Sequence, residues 1–357
     1  MTLSQKPLPP CSSAAEYLWL FEDCFPETVG TPLLTAEHYN WKYGPAGKVA
    51  PAFEYGAYDE ERMIGYYAAL PFHYRASSET VVGGMVCDVM THSSMRGKGI
   101  FTKQGAYATT AMAEAGVGFV LGFPIRSYVF PGHLKVGWRI AFELPVYFRL
   151  LDPGPPLATR KVGWLGPVLR PLCDLYRALL RLGRGDSGDC ERLPVESFFR
   201  SPEYLQFYDR WAEHVPFHLV RTSDFFCWRL AAPKTSYTVT VLRQGKELGA
   251  LAVTRITRLQ GFDVLAVVDL MVLPQFQGAV GRLHEEIARQ ARECGAAGVV
   301  IMVPRPEARL LRLTRNGFFK SSVVFKLILK WLAQTPPPDS FWEAGSWHLA
   351  WIDTDNL

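Results

Sequence analysis

No apolar run in this sequence of 357 residues approaches the roughly 18 to 20 residues that a membrane-crossing helix needs. Its opening stretch, Met1 to Pro10, lacks the apolar segment of a secretory signal, so export by that route is not expected. The seven cysteines (11, 24, 87, 173, 190, 227 and 294) are odd in number, scattered and without a CxxC pair. That pattern excludes a disulfide framework and a zinc site, and the expectation is a cytoplasmic protein with reduced thiols and no bound metal. Charge of one sign is also scarce, with 38 basic residues against 34 acidic ones and a net charge of +4. A nucleic-acid protein would show a basic stripe or a dominant positive balance, so no nucleic-acid partner is expected. What is present is ordinary globular composition, 48% hydrophobic and 20% charged, in a chain longer than the usual single domain.

Internal repetition organises the chain. Leu34 to Tyr43 resembles Val220 to Leu230: in each, Thr (Thr35, Thr222) stands six residues before Trp (Trp41, Trp228). An acid (Glu37, Asp224) stands four before the Trp, and a basic residue (Lys42, Arg229) directly follows it. Met63-Ile64-Gly65 then matches Glu247-Leu248-Gly249, and Val86 to Met90 matches Val267 to Met271. Phe119 to Pro124 matches Val299 to Pro304, and Val136-Gly137-Trp138 matches Asn316-Gly317-Phe318. The separation shrinks in order, from 187 at Trp41 and Trp228, through 184 at Gly65 and Gly249 and 181 at Asp88 and Asp269, to 180 at Gly137 and Gly317. A duplicated unit with short deletions produces this drift, giving copies over about 14–150 and 200–334.

Each copy reads as an α/β unit: a helical start, strands near 53–58 and 62–70, a β-rich run at 80–91, a helix over about 99–115 ended by Gly116, a buried strand at 117–123, and a short helix before Gly137. The predicted division is 1–152, a linker at 153–199, 200–334, and a tail at 335–357 carrying Trp342, Trp347 and Trp351. Within the linker, residues 168–182 mix Leu and Arg at helical spacing. Such a helix either lies on a membrane surface or packs its Leu side on the protein while Arg faces water.

The loop Arg96-Gly97-Lys98-Gly99-Ile100-Phe101 lies between the 80–91 run and the following helix. Glycines let the backbone approach a ligand, the free N–H groups of a helix start face it, and Arg96 and Lys98 add positive charge, which together make an anion cradle. This arrangement resembles the GNAT superfamily of N-acetyltransferases, whose pyrophosphate loop reads (Arg/Gln)-x-x-Gly-x-(Gly/Ala) between a strand and a helix. Arg96 and Gly99 match, while Phe101 stands where Gly or Ala is usual. Lys135-Val136-Gly137-Trp138 is similar to that family's closing motif. The resemblance covers most of 14–150 and, more faintly, 200–334, so the chain looks like a tandem member with two mixed, mostly antiparallel sheets flanked by helices.

The resemblance implies direct acyl transfer from acetyl-CoA or another acyl-CoA to a primary amine of a small molecule, with an amino sugar or a related surface-polysaccharide or natural-product precursor as the leading acceptor. Cofactor contacts would come from Val89, Met90, Thr91, Arg96, Gly97, Lys98, Gly99, Ile100, Phe101 and Thr102. Many members carry a proton-donating tyrosine four residues before the closing Gly; His133 occupies that position here, and Tyr128 is the nearby alternative. Asp88 is the nearest candidate base, with Glu54, His73 and the terminal Asp353 and Asp355 as others. Asp269 occupies the place of Asp88 in the second copy, so a structural role for both is the competing reading. Trp41, Tyr43, Phe72, Tyr74 and Trp228 offer aromatic surface for a sugar, or core.

In the second copy Val280 replaces Gly99 and Leu313 replaces His133, so that copy is expected to be degenerate and the chain to hold one active centre. A non-catalytic acyl-CoA-binding or scaffold protein is the alternative reading. A tandem aminoacyl transferase using charged tRNA is another, which the small net charge disfavours.

Overall fold

The computed structural model describes residues 3–159, 161–162, 169–173, 175 and 188–355. The amphipathic linker segment at 168–182 lies mostly outside the described residues. No helix among the described residues is long and apolar enough to cross a membrane.

The chain divides into two compact units, each drawn from three stretches. The first contains residues 1–142, 217–235 and 326–343, and the second 143–216, 236–325 and 344–357. In the first unit, β1 (Leu3–Pro7), β2 (Phe53–Asp59), β3 (Arg62–Ala76) and β4 (Glu79–Thr91) pair antiparallel in sequence order, and β5 (Phe119–Gly122) lies parallel to β4. Helices α1 (Ala14–Cys24), α2 (Ala36–Tyr43), α3 (Ile100–Glu114) and α4 (Phe130–Lys135) pack in this unit, with a further helix at Ser223–Arg229. Helix α1 buries Tyr17, Leu20, Phe21 and Cys24, one helical stripe, and each fully buried apolar side chain of that size contributes about 1.5–3 kcal/mol. Tyr66 meets the α1 ring of Tyr17, while a side chain at Gly105 of α3 would meet Tyr67. Neighbouring residues of a strand point to opposite faces, so α1 and α3 flank opposite faces of β3.

The second unit repeats the plan. The last half of β6 (Arg139–Leu150), β7 (Asp189–Leu193), β9 (Thr238–Gln244), β10 (Glu247–Leu259), β11 (Phe262–Val272) and β12 (Gly298–Met302) build its sheet, with β11 and β12 parallel and the rest antiparallel. A helix at Val280–Glu293 supplies Val280, Leu283, Ile287, Ala288 and Ala291 to its core. In the tail, the His348 ring lies between Glu307 at 2.5 Å and Asp269 at 3.0 Å.

The strand closing each unit comes from elsewhere in the sequence. β5 of the first unit pairs with Ile328–Trp331 of β13 (Phe319–Trp331), and β12 of the second pairs with Val146–Leu150 of β6. The short β8 (Phe217–Leu219) joins the first unit through β3.

The repeated Thr and Gly positions have physical causes. Thr35 and Thr222 each cap a helix, accepting from the amides of His38 at 3.1 Å and Phe225 at 3.0 Å. A Cβ on Gly65 would fall 2.6 Å from Gln104 of α3, and one on Gly249 would fall 1.9 Å from Phe276. Inside the first unit the matched tryptophans also meet: Trp41 and Trp228 stack at 5.2 Å, and each indole N–H donates to the other's backbone carbonyl at 2.9 Å.

Candidate functional site

Strand β4 sets the geometry. It pairs with β5 from Gly83 to Met85 and then continues to Thr91 paired with β3 alone, because β5 ends at Gly122. Val86 to Thr91 therefore runs past the paired stretch of its parallel partner, and that edge of β4 has no strand beside it among the described residues. On the other edge, pairing with β3 slips: Tyr66 faces Met90 but Ala68 faces Cys87. Asp88 and Val89 thus oppose the single residue Tyr67, a β-bulge, and Asp88 sits there in the left-handed region at φ 48.

Beyond Thr91 the chain makes a short 3-10 turn at Ser93–Met95 and then the cradle. Arg96 is extended, Gly97 is left-handed at φ 78, and Gly99, the N-cap of α3, is left-handed at φ 77. An L side chain at either glycine is strained although space is open there: a Cβ on Gly97 meets nothing within 4 Å, and one on Gly99 only Thr102 Oγ1 at 3.9 Å. The Lys103 amide donates to the Gly99 carbonyl at 3.1 Å, so the amides ahead of it face outward without a helical acceptor. Asp23 of α1 holds the loop from behind, accepting from the Ser93 amide and hydroxyl, each at 2.7 Å. Those hydrogen bonds, with His92 and Arg96 nearby, draw its carboxyl below the usual range despite some burial. Cys24 reaches the Thr91 carbonyl at 3.4 Å, and Arg96 Nε approaches the same oxygen at 3.4 Å. The Thr91 hydroxyl is buried with no partner among the described residues.

The matching turn of the second copy is built differently. Gln277 and Ala279 are both right-handed, and the helix begins at the fully buried Val280.

On the opposite face of β4, Asp88 is the hub of a buried cluster. Its Oδ2 accepts from Lys42 Nζ at 2.7 Å, Tyr43 at 2.5 Å and Tyr17 at 2.8 Å. Burial opposes ionisation, but the Lys42 ammonium and the three donors outweigh it and hold the carboxyl below its ordinary range. A neighbouring carboxylate, Glu54, accepts from Tyr39 at 2.6 Å, Tyr66 at 2.7 Å and the Cys11 amide at 3.0 Å. The ring centroids of Tyr17, Tyr39, Tyr43 and Tyr66 lie 4.7 to 5.9 Å apart where they pack.

His133 and Tyr128 occupy contrasting settings. His133 is 4% exposed, its ring set edge-on between Phe101 at 4.9 Å and Trp138 at 5.2 Å, and its Nδ1 has no partner among the described residues. Burial pushes its pKa down to about 4. Phe101 thus directs its bulk against Gly132 of α4. Tyr128 is 65% exposed in the turn before α4, and its oxygen accepts from Arg126 Nη1 at 2.9 Å.

The remaining candidates fall elsewhere. His73 is exposed, Glu54 is consumed by the tyrosine cluster, and Asp353 is buried in the second unit, where it accepts from the Ala350 amide at 2.8 Å. Asp355 is half-buried in the second unit. Of the five aromatic residues suggested as a sugar face, Tyr43, Phe72, Tyr74 and Trp228 are buried, and Phe72 packs on Phe225 and Trp228 while Tyr74 packs on Phe119. They are core, because aromatic area is worth most when removed from water. An open groove of about 500 Å³ lined by Ala15, Glu16, Trp19, Glu61, Arg62 and Met63 contains none of the candidate residues. Lys42, Tyr17, Asp23 and Arg126 were not singled out as site residues from sequence; only Lys42 carried a signal, its place after the repeated Trp.

Two imidazoles whose pKa is pushed down, His133 and the half-buried His38, give a measurable pH dependence. His38 is also pushed down to about 4, first by burial and then by Lys42. An unfolded histidine charges near 6.5, so between pH 6.5 and 4 the unfolded state binds more protons and folding weakens as pH falls. Each imidazole accounts for on the order of 2–3 kcal/mol across that window. Urea denaturation at pH 7 and 4.5 is expected to show the loss, and His133→Phe to remove about half of it; an undiminished loss in that variant would assign the effect to other groups.

Residues 12–141 match the family model described as an acetyltransferase (GNAT) domain. Comparison with curated proteins finds no match. Among solved structures, a GCN5-related N-acetyltransferase from Anabaena variabilis superposes with TM-score 0.66 at 14% identity, covering 93% of this chain and 73% of that one. A protein from Enterococcus faecalis described as a probable N-acyltransferase gives 0.62 at 11% identity, with 93% and 73% covered. Saccharomyces cerevisiae N-myristoyltransferase with bound myristoyl-CoA gives 0.61 at 10% identity, with 94% and 80% covered. At these identities the likeness speaks to the fold, a mixed and mostly antiparallel α/β architecture.

Proposed function

We propose that the chain is an acyl-CoA-dependent N-acyltransferase with one donor site, in the first unit, acting on a primary amine of a small molecule. One conjunction carries the reading: the left-handed turn at Gly97 and Gly99 heads α3 directly beyond the stretch of β4 that β5 leaves unpaired. The donor supplies an activated thioester. The residues fit it: outward amides from Gly97 to Thr102 with Arg96 and Lys98 suit a pyrophosphate, and the free edge of Val89, Met90 and Thr91 suits a chain of amides. The buried, unpartnered Thr91 hydroxyl lies at that edge.

Among the described residues the side-chain hydrogen bonds to Asp88 fall on Oδ2, and in this reading Oδ1 attracts an incoming ammonium. A carboxylate held so firmly ionised is a poor acceptor for that ammonium's proton, so in this reading Asp88 anchors the amine and water carries the proton away. Tyr128, exposed and with its oxygen already engaged by Arg126, is the proton donor to the leaving sulfur; His133, enclosed by rings, supports the cradle through Phe101. An N-acetylated amino sugar remains the first candidate product, on the strength of the family resemblance.

The test has two steps. Calorimetry with CoA is expected to give one site per chain, and thiol release from acetyl-CoA across a panel of amino sugars, polyamines and aminoacyl compounds to identify the acceptor. Tyr128→Phe is expected to lower kcat about 10- to 30-fold without weakening CoA binding. Binding without cleavage for every amine would make the chain an acyl-CoA-binding protein instead.

A further inference from the structure

Arg126 stands outside every motif of the sequence, yet it is the most connected cation beside the part of β4 that β5 leaves unpaired. Its Nη1 donates to the Cys24 carbonyl at 2.9 Å and to the Tyr128 oxygen at 2.9 Å. Its Nη2 donates to Glu27 at 2.6 Å, and its guanidinium lies 4.6 Å from the Phe25 ring. Cys24 in turn reaches the Thr91 carbonyl, the last of β4. The fork therefore ties the loop after β5 to the end of α1, beside the end of β4.

Resting on the acyl-transfer reading above, we infer that Arg126 is a positioning residue that fixes the Tyr128 hydroxyl as the proton donor to the departing thiolate. A phenol has one hydrogen to give and an oxygen that accepts. With the oxygen occupied by a permanent cation, the hydrogen turns away from the guanidinium toward solvent and substrate. Anchoring at Cys24, Glu27 and Phe25 keeps the fork from following the exposed phenol, so the phenol adjusts to the fork. When the carbon–sulfur bond of the adduct breaks, its electron pair passes to sulfur and the Tyr128 proton with it. The phenolate left behind sits against the guanidinium until it recovers a proton released by the attacking amine through water. No oxidant or further reactant enters.

A double-mutant cycle tests this on the full chain. Arg126→Gln and Tyr128→Phe are each expected to lower kcat about 10- to 30-fold with KM for acetyl-CoA changed less than about twofold. The double variant is expected to be no slower than the slower single one within about threefold, because both changes remove the same donor. Glu27→Gln removes one anchor of the fork but keeps its bonds to Cys24 and Tyr128, and is expected to lower kcat less than Arg126→Gln does. Losses that multiply in the double variant, or an Arg126→Gln enzyme with unchanged kcat, would overturn the role of Arg126 while leaving acyl transfer intact. A rise in KM with kcat unchanged would make Arg126 a binding residue and also overturn it. A wild type that releases no thiol with any amine would overturn the transfer reading itself, and this inference with it.

Discussion

Replacing Gly99 with Val is expected to weaken CoA binding about 100-fold, or some 2.7 kcal/mol, while the chain stays folded. Gly99 holds φ 77 as the N-cap of α3. An L residue held left-handed there costs about 1–2 kcal/mol, more if β-branched, and the turn relieves the strain by rotating its peptide planes. Rotation turns aside the amides that a pyrophosphate needs, so affinity falls further than stability. The reverse change, Val280→Gly, is expected to add no second site, since Ala279 and Gln277 are right-handed and Val280 is fully buried. Calorimetry decides both: wild-type affinity in the Gly99 variant would remove the cradle from the binding site, and two sites per chain in the Val280 variant would restore the second copy.

Asp88→Ala is expected to destabilise the chain by about 3–5 kcal/mol, the usual result of stripping the counter-charge from a buried ion pair. Lys42 and Asp88 are 7% and 9% exposed at 2.7 Å. The truncation also deprives the hydroxyls of Tyr43 and Tyr17 of this acceptor. Asp88→Asn keeps an oxygen for the phenols and is expected to cost less. Because the folded pKa of Asp88 is lowered from 3.8, the stability it adds is fully present above that value and disappears as pH falls through the lower folded value. Urea titrations at pH 7 and pH 3 should therefore show the wild-type advantage over Asp88→Asn shrinking in acid. A loss under 1 kcal/mol for Asp88→Ala at pH 7 would contradict the cluster's place in the core.

Periodicity placed α3 within a residue at each end, because a helix writes its stripe and its terminal glycines locally. The cradle was legible for the same reason: its glycines, basic residues and strand-to-helix setting are contiguous. The hub at Asp88 was not, because Tyr17 and Lys42 lie 71 and 46 residues away in sequence and no spacing announces that they converge on one oxygen. His133 shows the limit of alignment by motif. Its position matched a donor tyrosine, but the ring contacts of Phe101 and Trp138 that enclose it depend on the packing of α3 against α4. Exposure separated Tyr128 from His133, and exposure is a property of the folded chain.

The strand that completes the first unit has a consequence for how the molecule is made. β5 receives its antiparallel neighbour only at Ile328–Trp331. A ribosome delivers Phe119 to Gly122, the last of them 206 residues before Ile328, so that edge of β5 waits bare while those residues are made. An unpaired strand edge is a template for any other chain in reach. β5 is thus made early and closed late, and the interval of its exposure, about 10–40 s at 5–20 residues per second, is set by the speed of synthesis rather than by its own folding rate.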